Sequence, residues 1–120
     1  MIVGIGTDIV ELTRIESILE RIPRFIEKIL TASEKEKALK LNGKRRVEFV
    51  AGRFAAKEAF SKAWGTGIGE QLSFQDIEVT SDDKGKPYIK KHPMWRQKNV
   101  HVSISHSELY AVANVVIEEK

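Results

Sequence analysis

The chain has 120 residues, 42% hydrophobic and 31% charged, with a formal net charge of +3 and no cysteine. This length and composition suit a single folded domain, 1–120, and exclude a disordered chain, a disulfide scaffold, a thiolate zinc site and a cysteine nucleophile. The basic excess lies wholly in residues 1–70, which suggests an anionic partner for that half, and is too slight for bulk nucleic-acid binding.

The opening MIVGIGTDIVEL, rich in Ile and Val, reads as a strand buried on both faces. From Leu12 to about Leu41 the pattern is helical and interrupted. Pro23 breaks the first helix. Thr31 with Glu34 forms a capping box that opens the next, and Asn42-Gly43 ends it. A long helix is predicted from about Arg45 to Trp64, stopped by GTGIG at Gly65 to Gly69. Phe74 to Thr80 reads as a strand with Ile77 and Val79 on one face. Asp82 to Pro87 is a turn, and Tyr88 and Ile89 begin a return strand. In Val100 to His106 the residues Val100, Val102 and Ile104 face one way, and His101, Ser103 and Ser105 the other. Ser107-Glu108 turns the chain, and Leu109 to Ile117 closes a hairpin. Strand, helices and then strands make an α+β layout. No apolar run is long enough to span a bilayer and the N-terminus lacks a basic leader, so a soluble, cytoplasmic protein is expected.

Period-2 counting puts Asp8 on the same strand face as Gly4 and Gly6. Two glycines beside a carboxylate leave room for a ligand or another backbone, although Asp8 alone reads better as a turn cap. Glu58 shares a side of the long helix with Val47, Val50, Ala51 and Phe54. A carboxylate on an apolar stripe needs a partner, either Lys62 one turn on or a metal ion. Arg53, Lys57 and Ser61 line up at intervals of four and suit a row of phosphate oxygens. Otherwise they are a solvated face, a reading weakened by the apolar opposite side of Phe49, Ala56, Phe60 and Ala63. His106 ends the penultimate strand with no second ligand at metal-binding spacing. GTGIG does not fit a nucleotide-binding fingerprint and reads as a helix cap. Arg14 and Arg21 share a helix face, and with Arg24, Lys28, Phe25 and Ile26 they form either a solubilising surface or a dock for an acidic helix.

Three segments together resemble the holo-acyl-carrier-protein synthases, the short group of the 4′-phosphopantetheinyl transferases. They are GIGTDIVELTRI at Gly4 to Ile15, FVAGRFAAKEAFSKAWGTGIG at Phe49 to Gly69, and HVSISHSELYAVANVVIE at His101 to Glu118. The second contains Lys57, Glu58, Ala59 and Lys62 of the Lys-Glu-Ala-x-x-Lys core, and the turn Gly85, Lys86 and Pro87 also matches. The larger members usually carry Trp where this chain has Phe54, as the short group commonly does. The stretch His92 to Asn99 matches no pattern.

The resemblance implies a long central helix packed on a mainly antiparallel sheet. It implies transfer of phosphopantetheine from coenzyme A to a serine of apo acyl carrier protein, in support of fatty acid synthesis. It implies Mg²⁺ as cofactor and a homotrimer with active sites between subunits. Asp8 and Glu58 match metal ligands, and such a pair suits an ion that keeps waters and takes further ligands from substrate. Lys57, Ser61 and Lys62 match diphosphate-binding positions, joined by Arg53 and Gly65. Arg45 or Arg46 is expected near the 3′-phosphate. Lys86, Pro87 and His106 are expected to reach the nucleotide from a neighbouring subunit, with His106 also a candidate general base. Arg14, Arg21, Arg24 and Phe25 are expected to meet the carrier. No nucleic acid or membrane partner is expected. The competing readings are a small basic nucleic-acid-binding module and a Mg²⁺-dependent phosphohydrolase that uses the same two carboxylates to activate water.

Overall fold

A computed structural model describes all residues 1–120. Strand β1 (Ile2–Glu11) is followed by helices α1 (Leu12–Arg21), α2 (Phe25–Ile29), α3 (Ala32–Leu39) and α4 (Gly43–Trp64). A single 3₁₀ turn at Phe74–Asp76 leads into β2 (Glu78–Ser81), β3 (Pro87–Lys91), β4 (Lys98–His106) and β5 (Tyr110–Glu119). The α+β reading holds. An antiparallel sheet in the order β1-β5-β4 packs on α4, and β2 and β3 form a separate two-stranded ribbon.

The residues of β5 explain how helix and sheet meet. Ala111, Ala113, Val115 and Ile117 alternate inward and are fully buried, and Val100, Val102 and Ile104 of β4 continue that face. Across it α4 presents Val50, Ala51, Ala55, Ala56, Ala59 and Phe60, all without solvent exposure. A helix with small residues on so much of its circumference can be buried on several sides at once. On β1 the inward positions are Gly4 and Gly6, and they let the strand lie directly against the α4 backbone. A Cβ at Gly4 would stand 2.1 Å from the Ala63 carbonyl oxygen, and one at Gly6 would stand 1.9 Å from that of Ala59.

Strand β1 is not buried on both faces, as its composition predicts. Ile5 is 66% exposed and Ile9 63%, because α4 covers one side of the sheet only. With the half-buried Val112 and Val116 of β5 they leave an apolar outer face.

The helix punctuation is mostly as expected. Pro23 follows α1, and Thr31 and Glu34 form the capping box of α3. Gly65, at φ +102°, closes α4 in the left-handed region with its N–H on Ser61 O. Asn42-Gly43 has the opposite role from the one expected. Helix α3 ends at Leu39, where the Arg46 guanidinium donates to Ala38 O (3.0 Å) and Leu39 O (3.1 Å). Asn42 is instead the N-cap of α4. The predicted strand from Phe74 also starts late. Asp76 accepts from Ser73 N (2.9 Å), holding the chain in the 3₁₀ turn until Ile77, and only Glu78 onward pairs with β3.

Candidate active site

Two groups of polar side chains lie at different places on α4. The first surrounds Asp8 and Glu58. Gly4 and Gly6 draw β1 onto the C-terminal half of the helix, and Asp8, on the same inward face two residues beyond Gly6, is carried with them. Burial pushes the Glu58 carboxyl above its ordinary value. The negative charge of Asp8 adds to the shift and Lys62 opposes it. Lys62 does not close onto Glu58, as the i, i+4 spacing allows. Its ammonium donates to Asp8 Oδ1 and to Thr7 O, both at 3.0 Å.

The donor set fits a magnesium ion. Two carboxylates coupled through space, one of them partly desolvated and raised, are costly when charged and relieved by a divalent cation. No third Asp, Glu, His or Cys joins them, so coordination would be completed by water and substrate oxygens.

The second group lines a cleft of about 290 Å³ between the N-terminal half of α4 and the turn from β2 to β3. Arg45, Glu48, Phe49, Gly52 and Arg53 form its helical wall, faced by Ser81, Gly85, Pro87 and His106. The turn is rigid. Asp82 Oδ1 accepts from Lys84 N and Lys86 N, both at 2.9 Å, and Gly85 takes φ +86°. The Arg53 guanidinium lies 4.3 Å from the centre of the Phe49 ring and reaches Ser81 Oγ at 3.5 Å. Its Nε is the one buried side-chain nitrogen or oxygen without a partner. An unpaired buried donor costs roughly 1–3 kcal/mol. Burial, only partly offset by Glu34, lowers the Arg53 pKa. A guanidinium with donors to spare beside a second arginine is a recognition element for phosphate.

The structure brings together Asp8, Glu58 and Lys62, and separately Arg45, Arg53, Pro87 and His106. Lys86 is exposed and lies between Gly85 and Pro87, but does not itself line the cleft. The structure regroups the remaining residues. Arg53 belongs with Arg45, not with the carboxylates. At 100° per residue it points about 140° around the helix from Glu58. Of Arg45 and Arg46, only Arg45 lines the cleft, because Arg46 is occupied in capping α3. Lys57 and Ser61 do not reach either site. Lys57 is fully buried, and its ammonium donates to Glu34 Oε1 (2.6 Å), Ile29 O (2.8 Å) and Phe74 O (3.0 Å). All three of its protons are used. Glu34 completes this knot by accepting from Thr31 N (2.8 Å) and Val79 N (2.7 Å). Burial pushes the Lys57 ammonium below its ordinary value, and Glu34 opposes that shift. Ser61 is also buried, with its hydroxyl donating to Glu58 O (2.7 Å). Gly65 is accounted for as the cap of α4.

On the remaining surface Arg14, Arg21 and Arg24 are exposed, as a partner-binding face requires. Phe25 is not an exposed anchor among them. Its ring packs on Phe54 with centroids 5.9 Å apart. Sequence reasoning missed Glu48, whose Oε2 lies 3.4 Å from His106 Nδ1, and Glu34, whose only signal was its place in the capping box.

Known proteins match this chain over nearly its whole length. The family model of the 4′-phosphopantetheinyl transferase superfamily matches residues 4–116. Holo-[acyl-carrier-protein] synthases of Anoxybacillus flavithermus and Bacillus subtilis are each 61% identical over 118 residues, 98% of this chain and 97% of each relative. The crystal structure of a holo-(acyl-carrier-protein) synthase from Bacillus anthracis in complex with CoA (3′,5′-ADP) superimposes with a TM-score of 0.92 at 57% identity, covering 100% of this chain and 99% of that one. The Helicobacter pylori synthase in complex with coenzyme A gives 0.84 at 38% identity, covering 95% and 99%. Full-length identity of this order, on a fold matched end to end, shows that the chain belongs to the 4′-phosphopantetheinyl transferase superfamily, among the holo-[acyl-carrier-protein] synthases.

Proposed function

We propose that the chain transfers 4′-phosphopantetheine from coenzyme A to a serine of apo acyl carrier protein, leaving adenosine 3′,5′-bisphosphate, in support of fatty acid synthesis. The observation that carries this reading is the end-to-end likeness to a synthase in complex with CoA (3′,5′-ADP). In the reaction the serine oxygen bonds to the phosphorus that carries the pantetheine arm. The bond from that phosphorus to the nucleotide's phosphate breaks, and the serine proton leaves to a base. Arg45 and Arg53 supply fixed positive charge for the nucleotide end of the donor. Lys62, held at Asp8, would add positive charge for the diphosphate beside the carboxylate pair. Asp8 and Glu58 would hold Mg²⁺, which when bound would neutralise charge building on the leaving phosphate. His106 stands among the arginines rather than beside the carboxylates, which favours nucleotide binding over the role of base.

The enzyme works as a homotrimer in this reading. Along α4, Arg45 and Lys62 are separated by about 25 Å of helix axis and face different ways, so one chain offers two half-sites. A neighbour's cleft set against the carboxylate pair would complete each site. The outer sheet face, with Ile5, Ile9 and Tyr110 exposed, supplies an apolar surface for such packing. Arg14, Arg21 and Arg24 would steer the acidic carrier protein, with the exposed Ile22 beside them. No helix is long and apolar enough to cross a membrane, which accords with a cytoplasmic enzyme.

Incubation of an apo carrier protein with this chain, CoA and Mg²⁺, followed by mass spectrometry, tests the proposal. One serine is expected to gain the phosphopantetheine mass. Release of the nucleotide from CoA without any carrier would show a hydrolase instead.

A further inference from the structure

The arginine-lined cleft carries a single carboxylate. Glu48 stands among Arg45, Arg53 and His106, yet neither arginine pairs with it. Its one charged contact is the His106 ring, Nδ1 to Oε2 at 3.4 Å, and its side chain is 21% exposed against 51% for the histidine. A negative group in a cleft suited to phosphate repels the ligand unless its charge is directed elsewhere.

The fold builds this contact. Ile104, two residues before His106 on β4, packs on Gly52, one turn beyond Glu48 on α4. A Cβ at Gly52 would stand 3.2 Å from Ile104 Cγ2. The glycine lets the end of β4 approach the helix closely enough for the ring to reach the carboxylate. The two nitrogens of an imidazole are not equivalent, and a hydrogen bond at one decides what the other presents.

We propose that Glu48 is a positioning residue for the transferase: its carboxylate, at ion-pair distance from His106 Nδ1, keeps the ring proton on that nitrogen, orients the ring, and leaves Nε2 to meet the phosphate-bearing nucleotide of the donor. Glu48 touches no substrate itself. This inference rests on the reading of the cleft as the nucleotide site of coenzyme A.

The test compares Glu48→Ala, Glu48→Gln, His106→Ala and the double variant Glu48→Ala/His106→Ala in the intact enzyme, with carrier protein and Mg²⁺. Loss of the charged partner that orients the ring corresponds to roughly a tenfold change. Glu48→Ala is expected to raise KM for CoA by about that factor and to leave kcat within about twofold. Glu48→Gln, whose amide oxygen can still face Nδ1–H, should recover most of the loss. The double variant should be no worse than His106→Ala alone, because Glu48 acts through the ring. Ring ¹⁵N spectra of the ligand-free protein at alkaline pH should report an Nδ1–H tautomer in the wild type and its loss in Glu48→Ala. A KM for CoA that is unchanged or lowered in Glu48→Ala overturns the proposal, as does a double variant whose losses multiply. Failure of the cleft reading looks different. Arg45→Ala and Arg53→Ala would then leave KM for CoA unchanged while the ¹⁵N change in Glu48→Ala persisted, and the nucleotide half of the proposal would fall.

Discussion

Replacing Gly6 with alanine tests how the carboxylate pair is assembled. A Cβ there would lie 1.9 Å from Ala59 O, 2.7 Å from Ala63 N and 2.9 Å from Ala59 C. Ordinary contact begins at 3.4 Å, so β1 and α4 must part by about 1.5 Å. All three obstructing atoms are backbone, and no side chain can swing aside. Overpacking of a tight core costs about 1–3 kcal/mol, and a rigid backbone obstacle places this substitution at the upper end. At roughly 4 °C or more per kcal/mol, Tm should fall by about 12 °C or more. The displacement also has a functional reading. Asp8 moves with β1 while Glu58 stays on α4, so more Mg²⁺ should be needed for half-maximal transfer even well below the new Tm. Circular dichroism melting and a Mg²⁺ titration of turnover measure the two effects. Wild-type values of both Tm and Mg²⁺ dependence in Gly6→Ala would refute the close-approach argument.

Glu58→Gln should abolish Mg²⁺-dependent transfer while the metal-free protein melts higher. The folded-state pKa of Glu58 is raised, so its penalty is absent below the ordinary value of 4.5 and grows as pH rises through the folded value. Melting of the metal-free variant against wild type at pH 4 and pH 7 checks the sign, with the gain expected only at pH 7. Lys57→Met leaves the fully buried Glu34 without its cation and should cost about 3–5 kcal/mol by urea unfolding, with part of it returned in Glu34→Gln/Lys57→Met. Ile9→Asp places a charge on the outer sheet face; if the proposed trimer packs through it, sedimentation should show a trimeric wild type and a monomeric, inactive variant, and an active monomer would contradict the shared site. KM for the carrier protein should rise with salt, and Arg14→Ala/Arg21→Ala should flatten that dependence.

Much of the architecture was legible because local signals and tertiary outcome agree. The Thr31–Glu34 capping box, the Gly65 stop and the alternation of β4 are decided within a few residues of chain. The misread elements are those whose fate depends on what packs against them. Strand β1 has the composition of a doubly covered strand, but α4 lies on one side only, so Ile5 and Ile9 remain open. Asn42-Gly43 is a good end signal in isolation. It opens α4 because Arg46, from the next helix, already satisfies the last carbonyls of α3.

The site divides along the same line. Asp8 and Glu58 were paired through the family resemblance; the residues themselves show only that the two glycines allow β1 to approach another backbone closely beside Asp8. The stripe Arg53, Lys57 and Ser61 has identical spacing at each step, and periodicity alone assigns its members one role. The structure gives them three. Lys57 is drawn into the core by Glu34 and two carbonyls, Ser61 turns back on its own helix, and Arg53 faces the cleft. What separates them is distant in the chain. The residues Ile29, Glu34 and Phe74 close over one side of α4, and the Gly85–Pro87 turn stands off from another. A helix buried on several sides carries no sequence mark for which polar residue meets a gap and which meets a wall. Glu48 was missed for that reason: its meaning depends on His106, 58 positions later, and on Gly52, the residue that admits β4 to its side.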